Sequence, residues 1–289
     1  MNAEPVPAWA PALLILGFGA ILLWRELRDP LRHSVESKLR RDTRNLVVAG
    51  LSGLAILFAE LPVVTPLAAM VEERDIGLLK LAHLPAWFEI TLGVILMDYT
   101  LYLWHILTHR LPWLWRFHVV HHADIDMDAS TALRFHFGEM LVSIPWRIGQ
   151  VLLIGVSPLS LSIWQTALML SILFHHSNVR LPIAVERKLN LFIVTPRMHG
   201  IHHSIVREET DSNWSSGLTL WDRLHGTLRL NLPQDDITIG VPAYRELDDI
   251  RLTRMLKLPF VPQRPAWLLP DGGRPRREAA PASQNRLLA

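Results

Sequence analysis

Apolar residues gather along this chain into runs long enough to cross a membrane, with polar residues between them. The first run, about Trp9 to Trp24, is slightly short of the roughly 20 residues that a helical span needs, and flanking residues can complete it. The second, about Leu46 to Val71, contains Pro62 and Pro66, which predict a kink in a single tilted crossing or an early end. A third run, about Leu84 to Trp104, reads as a helix. A longer stretch, Glu139 to Phe174, is interrupted near Gly155-Val156-Ser157-Pro158. Histidines flank it, His136 before and His175 and His176 after, so for both ends to serve one site it must be a hairpin of two crossings. The count is about five apolar passes.

Charge orients these passes. Arg25, Arg28, Arg32, Lys38, Arg40, Arg41 and Arg44 follow the first run, so the positive-inside bias predicts a cytoplasmic loop and an N-terminus outside. No basic residue precedes that run and no small-residue cleavage site follows it, so a signal peptide is not expected. The Glu72-Glu73-Arg74-Asp75 loop then lies outside, and the third run returns inward to deliver His105 to the cytoplasmic boundary. Residues from Ser177 to Phe260 are mixed and are expected to cap the site from the cytoplasm. The tail from about Pro262, rich in Pro, Gly and Arg, is expected to be disordered. The predicted architecture is all-α and polytopic: membrane helices and a basic loop over 1–84, a histidine-rich domain over 85–260 and a disordered tail over 261–289. No internal repeat is present.

Composition narrows the class. The 289 residues are 50% hydrophobic with mean hydropathy +0.22, too oily for an average soluble domain and fitting an integral membrane protein. There is no cysteine, which excludes disulfides, iron–sulfur clusters and thiolate-ligated haem. Any metal must be held by nitrogen and oxygen.

The histidines supply the nitrogen. Eight fall into three tight groups, His105-Ile-Leu-Thr-His109, His118-Val-Val-His121-His122 and His199-Gly-Ile-His202-His203. On a helix, residues four apart share a face, so each group aims its imidazoles together. Eight nitrogens exceed the four that a tetrahedral zinc takes and suit two metal ions, with two irons the best fit. His33 and His83 are isolated and read as surface or satisfied histidines. Asp98, Tyr102, His105 and His109 are spaced four, three and four, on one stripe running into the membrane. An intramembrane aspartate needs a partner. Asp98 is read as the acceptor that orients a ligating imidazole, against a plain structural bond to a Tyr or Trp.

With Asp98-x-x-x-Tyr102 upstream, the three histidine groups resemble the fatty acid hydroxylase and sterol desaturase superfamily of membrane di-iron oxygenases. Arg134-x-His136-x-x-Glu139 is similar to that family's RxHPxE element and His176-Ser177-Asn178 to its HxN element. Asp211-Ser212-Asn213-Trp214 and Trp221-Asp222-Arg223-Leu224-His225-Gly226-Thr227 resemble NYG followed by WDxxFGT. The likeness covers about Asp98 to Thr227. Phe137 replaces the usual proline, Trp214-Ser215 replaces Tyr-Gly, and His225 replaces phenylalanine, either as an extra ligand or, the preferred reading, as a surface substitution. The first two departures suggest an altered substrate path.

The resemblance implies four full spans, with one pass shallow or re-entrant. It implies that His105, His109, His118, His121, His122, His199, His202 and His203 ligate the metals, with His176 as the ninth ligand and His136 completing the set; His175 is the weaker choice. Asp98, Tyr102, Asn178 and Asp222 are expected in the outer shell. Glu139 is either an outer-shell carboxylate or a first-turn charge favoured by the helix dipole. No catalytic side chain is expected beyond the ligands. The implied cofactors are two iron ions with dioxygen as co-substrate, although zinc binds such ligands more tightly than ferrous iron and can displace it during purification. The implied reaction is oxidation of an unactivated C–H bond of a membrane lipid such as a sterol, fatty acyl or isoprenoid chain, by hydroxylation or desaturation.

Electrons must come from a separate donor, a ferredoxin or small cytochrome with its reductase, because no flavin, haem or iron–sulfur motif is present. The basic surface, with pI ≈ 9.2, could dock such a donor or, more simply, attract anionic membrane lipid. Nucleic acid is not expected. Two rival classes remain. A zinc-dependent membrane hydrolase needs fewer ligands and a general base, and no HExxH is present. A histidine-rich metal carrier would spread its ligands through the membrane rather than gather them at one boundary.

Overall fold

The computed structural model describes residues 9–82 and 84–277; His83 and the end of the tail lie outside the described residues. Those residues are helical, with only isolated bridges such as Pro30 with Val179 and Ile193 with Leu218. Five helices are long and apolar enough to cross a membrane: α1 (Trp9–Arg28), the stretch Lys38–Ala82, α4 (Ala86–Arg110), α6 (Phe137–Ile154) and α7 (Pro158–His176). All five are of spanning length, in keeping with the five apolar passes read from the sequence. The long stretch comprises α2 (Lys38–Ala55), a π turn over Ile56–Glu60, α3 (Leu61–Glu73) and a 3-10 turn (Leu78–Ala82). Pro62 falls just after the π turn, which absorbs the register shift, so the two prolines do not end the helix.

The predicted hairpin is present. Gly155 caps α6 in the left-handed conformation at φ 84°, the Ser157 hydroxyl accepts from Ser160 N, and Pro158 opens α7. Gly155 lies against Gly77 (φ 106°), where an added Cβ would stand 2.3 Å from Gly155 N, so both positions require glycine. This contact fastens the α3–α4 connection to the α6–α7 turn at one end of the bundle. The grouped histidines lie at the other end. Between the ends, Val64, Ala68, Met97, Val151, Leu161 and Trp164 form the core. Within the spans Arg147 pairs with Glu60 at 3.6 Å, bonds Gln150 at 2.7 Å and covers the Trp164 ring at 4.5 Å, so this intramembrane charge has partners.

The basic loop expected after the first run is largely folded. Helix α2 begins at Lys38, eight residues before the apolar run, and Arg32, Arg41 and Arg44 are buried. Arg32 donates to Pro196 O and to Gln234 Oε1, whereas the partners of Arg41 and Arg44 are acids absent from the sequence reading. Arg41 pairs with Asp128 and lies 3.8 Å from Asp124, while Arg44 pairs with Glu36 at 2.8 Å. Asp126 accepts from Val35 N and Glu36 N. The basic segment therefore docks onto the Asp124-Ile125-Asp126-Met127-Asp128 loop that directly follows the second histidine group.

The tail also differs from expectation. Residues 264–277 are anchored by Arg264 to Asp249 at 2.8 Å and by Arg277 to Glu209 at 2.9 Å. Trp267 stacks on Trp115 of α5 (Pro112–His122). A polar composition does not keep a strap loose when buried carboxylates and an aromatic face await it.

Candidate metal centre

Four helix carboxyl ends carry the histidines. The last turns of α4, α5, α7 and the short α9 (Pro196–His202) hold His105 and His109, then His118, His121 and His122, then His175 and His176, then His199 and His202. Helix C-termini present partial negative charge, so the four ends converge where a cation is favoured.

The nitrogens gather into two sets. His105, His109, His122 and His202 form one; His121, His176, His199 and His203 form the other; within each, the candidate ligand atoms lie within 4.8 Å of one another. Neighbouring histidines diverge, His121 from His122 and His202 from His203, because adjacent helical residues point about 100° apart. Partners at i, i+4 stay together, as in His105 with His109 and His199 with His203. His118 belongs to neither set but lies beside both, with ring centroids 4.8 Å from His109, 4.9 Å from His122 and 5.3 Å from His121.

Acceptors behind the rings fix their tautomers. His105 Nδ1 donates to the Trp214 carbonyl at 2.7 Å, His202 Nδ1 to the Ser212 carbonyl at 2.8 Å and His176 Nδ1 to the Ile172 carbonyl at 2.8 Å. His118 Nδ1 donates to Glu139 Oε1 at 2.9 Å. Each Nε2 is thereby left as a bare lone pair facing inward. His105 Nε2 and His202 Nε2 stand 3.1 Å apart, as do His176 Nε2 and His199 Nε2. With both Nδ1 atoms of the first pair protonated, its two lone pairs face each other without a proton between them, an arrangement that a shared cation stabilises. His118 Nε2, His122 Nε2 and both nitrogens of His109 and His203 are buried with no protein hydrogen bond. An unpaired buried polar atom costs about 1–3 kcal/mol, so a metal-free reading leaves a large cost unexplained. The residues fit metal ions. Burial first, and neighbouring histidines second, hold His121, His122, His199 and His203 well below the usual imidazole range. Burial pushes His202 down to about 3, so these rings stay neutral and able to ligate.

Several expected site residues stand elsewhere. His136 is outside both sets: its Nδ1 accepts from Gly138 N at 2.9 Å, capping α6, and its Nε2 donates to the Leu256 carbonyl at 3.2 Å. With both nitrogens engaged it has no lone pair left for a metal. His175 packs on His199 with ring centroids 4.1 Å apart and is in neither set. Exposed His225 stacks on Tyr102 and is not with the ligands.

Asp98 touches no ligand imidazole; its Oδ2 accepts from the Trp221 indole at 2.7 Å and from Leu218 N at 3.0 Å. It stands seven residues before His105, about 10 Å along the helix, out of reach of the rings. Asn178 instead brackets the Arg32 backbone at 2.8 and 2.9 Å. Tyr102 bonds Thr227 at 3.0 Å, again at a remove from the rings.

Asp222 acts through one intermediary. It accepts from Trp214 N at 2.9 Å, Ser215 N at 3.0 Å and the Thr227 hydroxyl at 2.6 Å. It thus fixes the Ser212 to Ser215 turn whose carbonyls orient His105 and His202. Asn213, at φ 54°, tightens the same turn by bonding Met198 O and Arg229 O. Glu139 sits in the first turn of α6 and accepts from His118 Nδ1. The sequence reading missed the two orienting carbonyls, which carry no side-chain signal. It also passed over the Asp124, Asp126 and Asp128 triplet, whose alternation beside a histidine group is visible in the sequence.

Residues 90–227 match the fatty acid hydroxylase family model. Among similar proteins, the Rhizobium tropici ornithine lipid hydroxylase OlsE is 36% identical over 161 residues, covering 54% of this chain and 46% of the relative. Human alkylglycerol monooxygenase is 30% identical over 144 residues, 49% of this chain and 30% of the relative. Human cholesterol 25-hydroxylase is 28% identical over 183 residues, 61% of this chain and 59% of the relative. The chain thus spans between about a third and three fifths of these relatives. No solved structure matches it significantly.

Proposed function

We propose that this protein is a membrane oxidoreductase that hydroxylates a C–H bond of a bilayer lipid, using dioxygen and two iron ions. The observation that carries the proposal is the pair of four-histidine sets at one end of an apolar helical bundle. One iron would be held by His105, His109, His122 and His202, with His118 as a fifth ligand through its free Nε2; the other by His121, His176, His199 and His203. Bound there, the irons would supply the dioxygen chemistry that no side chain of this protein can provide.

The chain's own share is positional. The Trp214 and Ser212 carbonyls and the Glu139 carboxylate keep the Nε2 lone pairs aimed inward. Trp214, buried against His105, His109 and His202, keeps water from one side of the first set. The overall change, C–H + O2 + 2 electrons + 2 H+ giving C–OH + H2O, needs a separate electron donor.

The relatives are named as hydroxylases and monooxygenases, which favours hydroxylation over desaturation. Their named substrates share only membrane residence, so the substrate is assigned as a membrane lipid. The histidine end is placed on the cytoplasmic side, where electron carriers circulate, in agreement with the basic residues after α1. A zinc hydrolase does not account for nine converging imidazoles, nor does a metal carrier account for their gathering at one end.

The test is expression in a lipid-producing host under 18O2, followed by mass spectrometry of extracted lipids and metal analysis of the purified protein. A lipid gaining one 18O atom only when the protein is present is expected. Unchanged lipids from a strain with verified membrane expression and iron loading would overturn the reading.

A further inference from the structure

The strap over residues 264–277 brings Trp267 face to face with Trp115, ring centroids 5.6 Å apart and planes at 28°. Trp115 in turn contacts His109 at 5.0 Å and His122 at 5.6 Å, both in the first histidine set. Trp267 also lines a cavity of about 270 Å³. Arg207, Arg274 and Arg276 also line it, against a single acid, Glu208. All three arginines are exposed. Among the described residues, Arg274 and Arg276 have no carboxylate partner, and Arg207 has only Asp211 at 3.6 Å. A cationic rim, an aromatic floor and a contiguous path of rings to the metal ligands therefore coincide at one place.

We infer that this cavity is the docking site of an acidic one-electron carrier protein, and that electrons enter through Trp267 and Trp115 to His109 and His122. The inference rests on the proposed oxygenase function. The occupant follows from two observations. The chain has no cysteine or cofactor motif with which to hold its own reductase, so electrons must arrive from outside. Unpaired arginines around an aromatic contact attract and orient a negatively charged protein. An anionic lipid headgroup would satisfy the arginines but gives no account of the stacked path inward. Each docking event oxidises one carrier by one electron; two events, with two protons from water, reduce one dioxygen to the lipid hydroxyl oxygen and one water.

The experiment uses the full chain, iron-loaded, in neutral phosphatidylcholine nanodiscs, with an acidic [2Fe–2S] ferredoxin as probe. Binding is titrated at low and at about 0.5 M salt, and single-turnover ferredoxin oxidation is followed by stopped flow. Wild type should bind at low salt and release at high salt. Reversing Arg274 and Arg276 (R274E, R276E) should weaken low-salt binding by roughly ten-fold or more. Trp267→Leu should leave binding within about two-fold while slowing electron transfer by roughly ten-fold. Variants are compared at equal iron content and melting temperature; Arg274→Ala alone, on an exposed side chain, covers the case of a misfolded double variant. No ferredoxin binding by wild type, unchanged binding after charge reversal, unchanged transfer in Trp267→Leu, or charge reversal that weakens only attachment to phosphatidylserine vesicles would each overturn the docking site. Wild type reduced with dithionite separates the two levels: no lipid product under dioxygen defeats the oxygenase reading, whereas product without ferredoxin binding defeats the docking site alone.

Discussion

Removing the Asp222 side chain tests whether the Ser212 to Ser215 turn holds the first histidine set in place. Its carboxylate accepts from Trp214 N, Ser215 N and the Thr227 hydroxyl, and Trp214, Ser215 and Asp222 are all buried. Asp222→Ala leaves two main-chain N–H groups buried without acceptors, at about 1–3 kcal/mol each, so the turn loses about 2–6 kcal/mol. A penalty of that size is relieved by letting the turn swing toward water, which withdraws the Trp214 and Ser212 carbonyls from His105 and His202. Losing such supporting acceptors typically lowers metal affinity 10–100-fold. Asp222→Asn keeps one acceptor oxygen and should fall between wild type and Ala. The assay is iron retained after dialysis against a graded chelator, with thermal melting to separate unfolding from metal loss. Wild-type iron retention in a folded Asp222→Ala protein would refute the orienting role of the turn.

His121→Ala or His202→Ala should abolish lipid oxidation, each removing a ligand from a different set, whereas His33→Ala, on an exposed residue, should leave it near wild type; lipid mass spectrometry at matched expression decides. Asp98→Asn should retain its iron, because both bonds go to one oxygen that the Asn carbonyl can replace, while Gly217→Ala should melt lower, its Cβ falling 2.4 Å from Asp98 Oδ1; iron analysis and melting curves check both. Since the chain has no cysteine, exposed Glu73→Cys and Lys188→Cys give clean labelling sites, and an impermeant maleimide on intact cells should reach the first and not the second; equal labelling would reject the two-ended topology.

The sequence by itself determined the helical bundle and which histidines group together. Runs of about 20 apolar residues can satisfy their backbone in a bilayer only as helices or closed barrels. Histidine spacing on a helix fixes which imidazoles share a face, whatever surrounds them, so the i, i+4 pairs were legible before any fold was known. The hairpin turn was legible for the same local reason, through Gly155, Ser157 and Pro158. Tertiary structure alone decided which set each histidine joins: the spacing was read as aiming all the imidazoles of a group together, whereas the fold splits His121 from His122 and His202 from His203. It moved His136 from ligand to helix cap and Asp98 from imidazole to indole, since each choice depends on segments more than a hundred residues away, Leu256 and Trp221. It buried Arg41 against Asp124 and Asp128, more than eighty residues along the chain, where the sequence showed a free basic loop. The orienting carbonyls of Ser212 and Trp214 were invisible for a deeper reason: every residue has a carbonyl, and only the folded turn aims these two at His202 and His105.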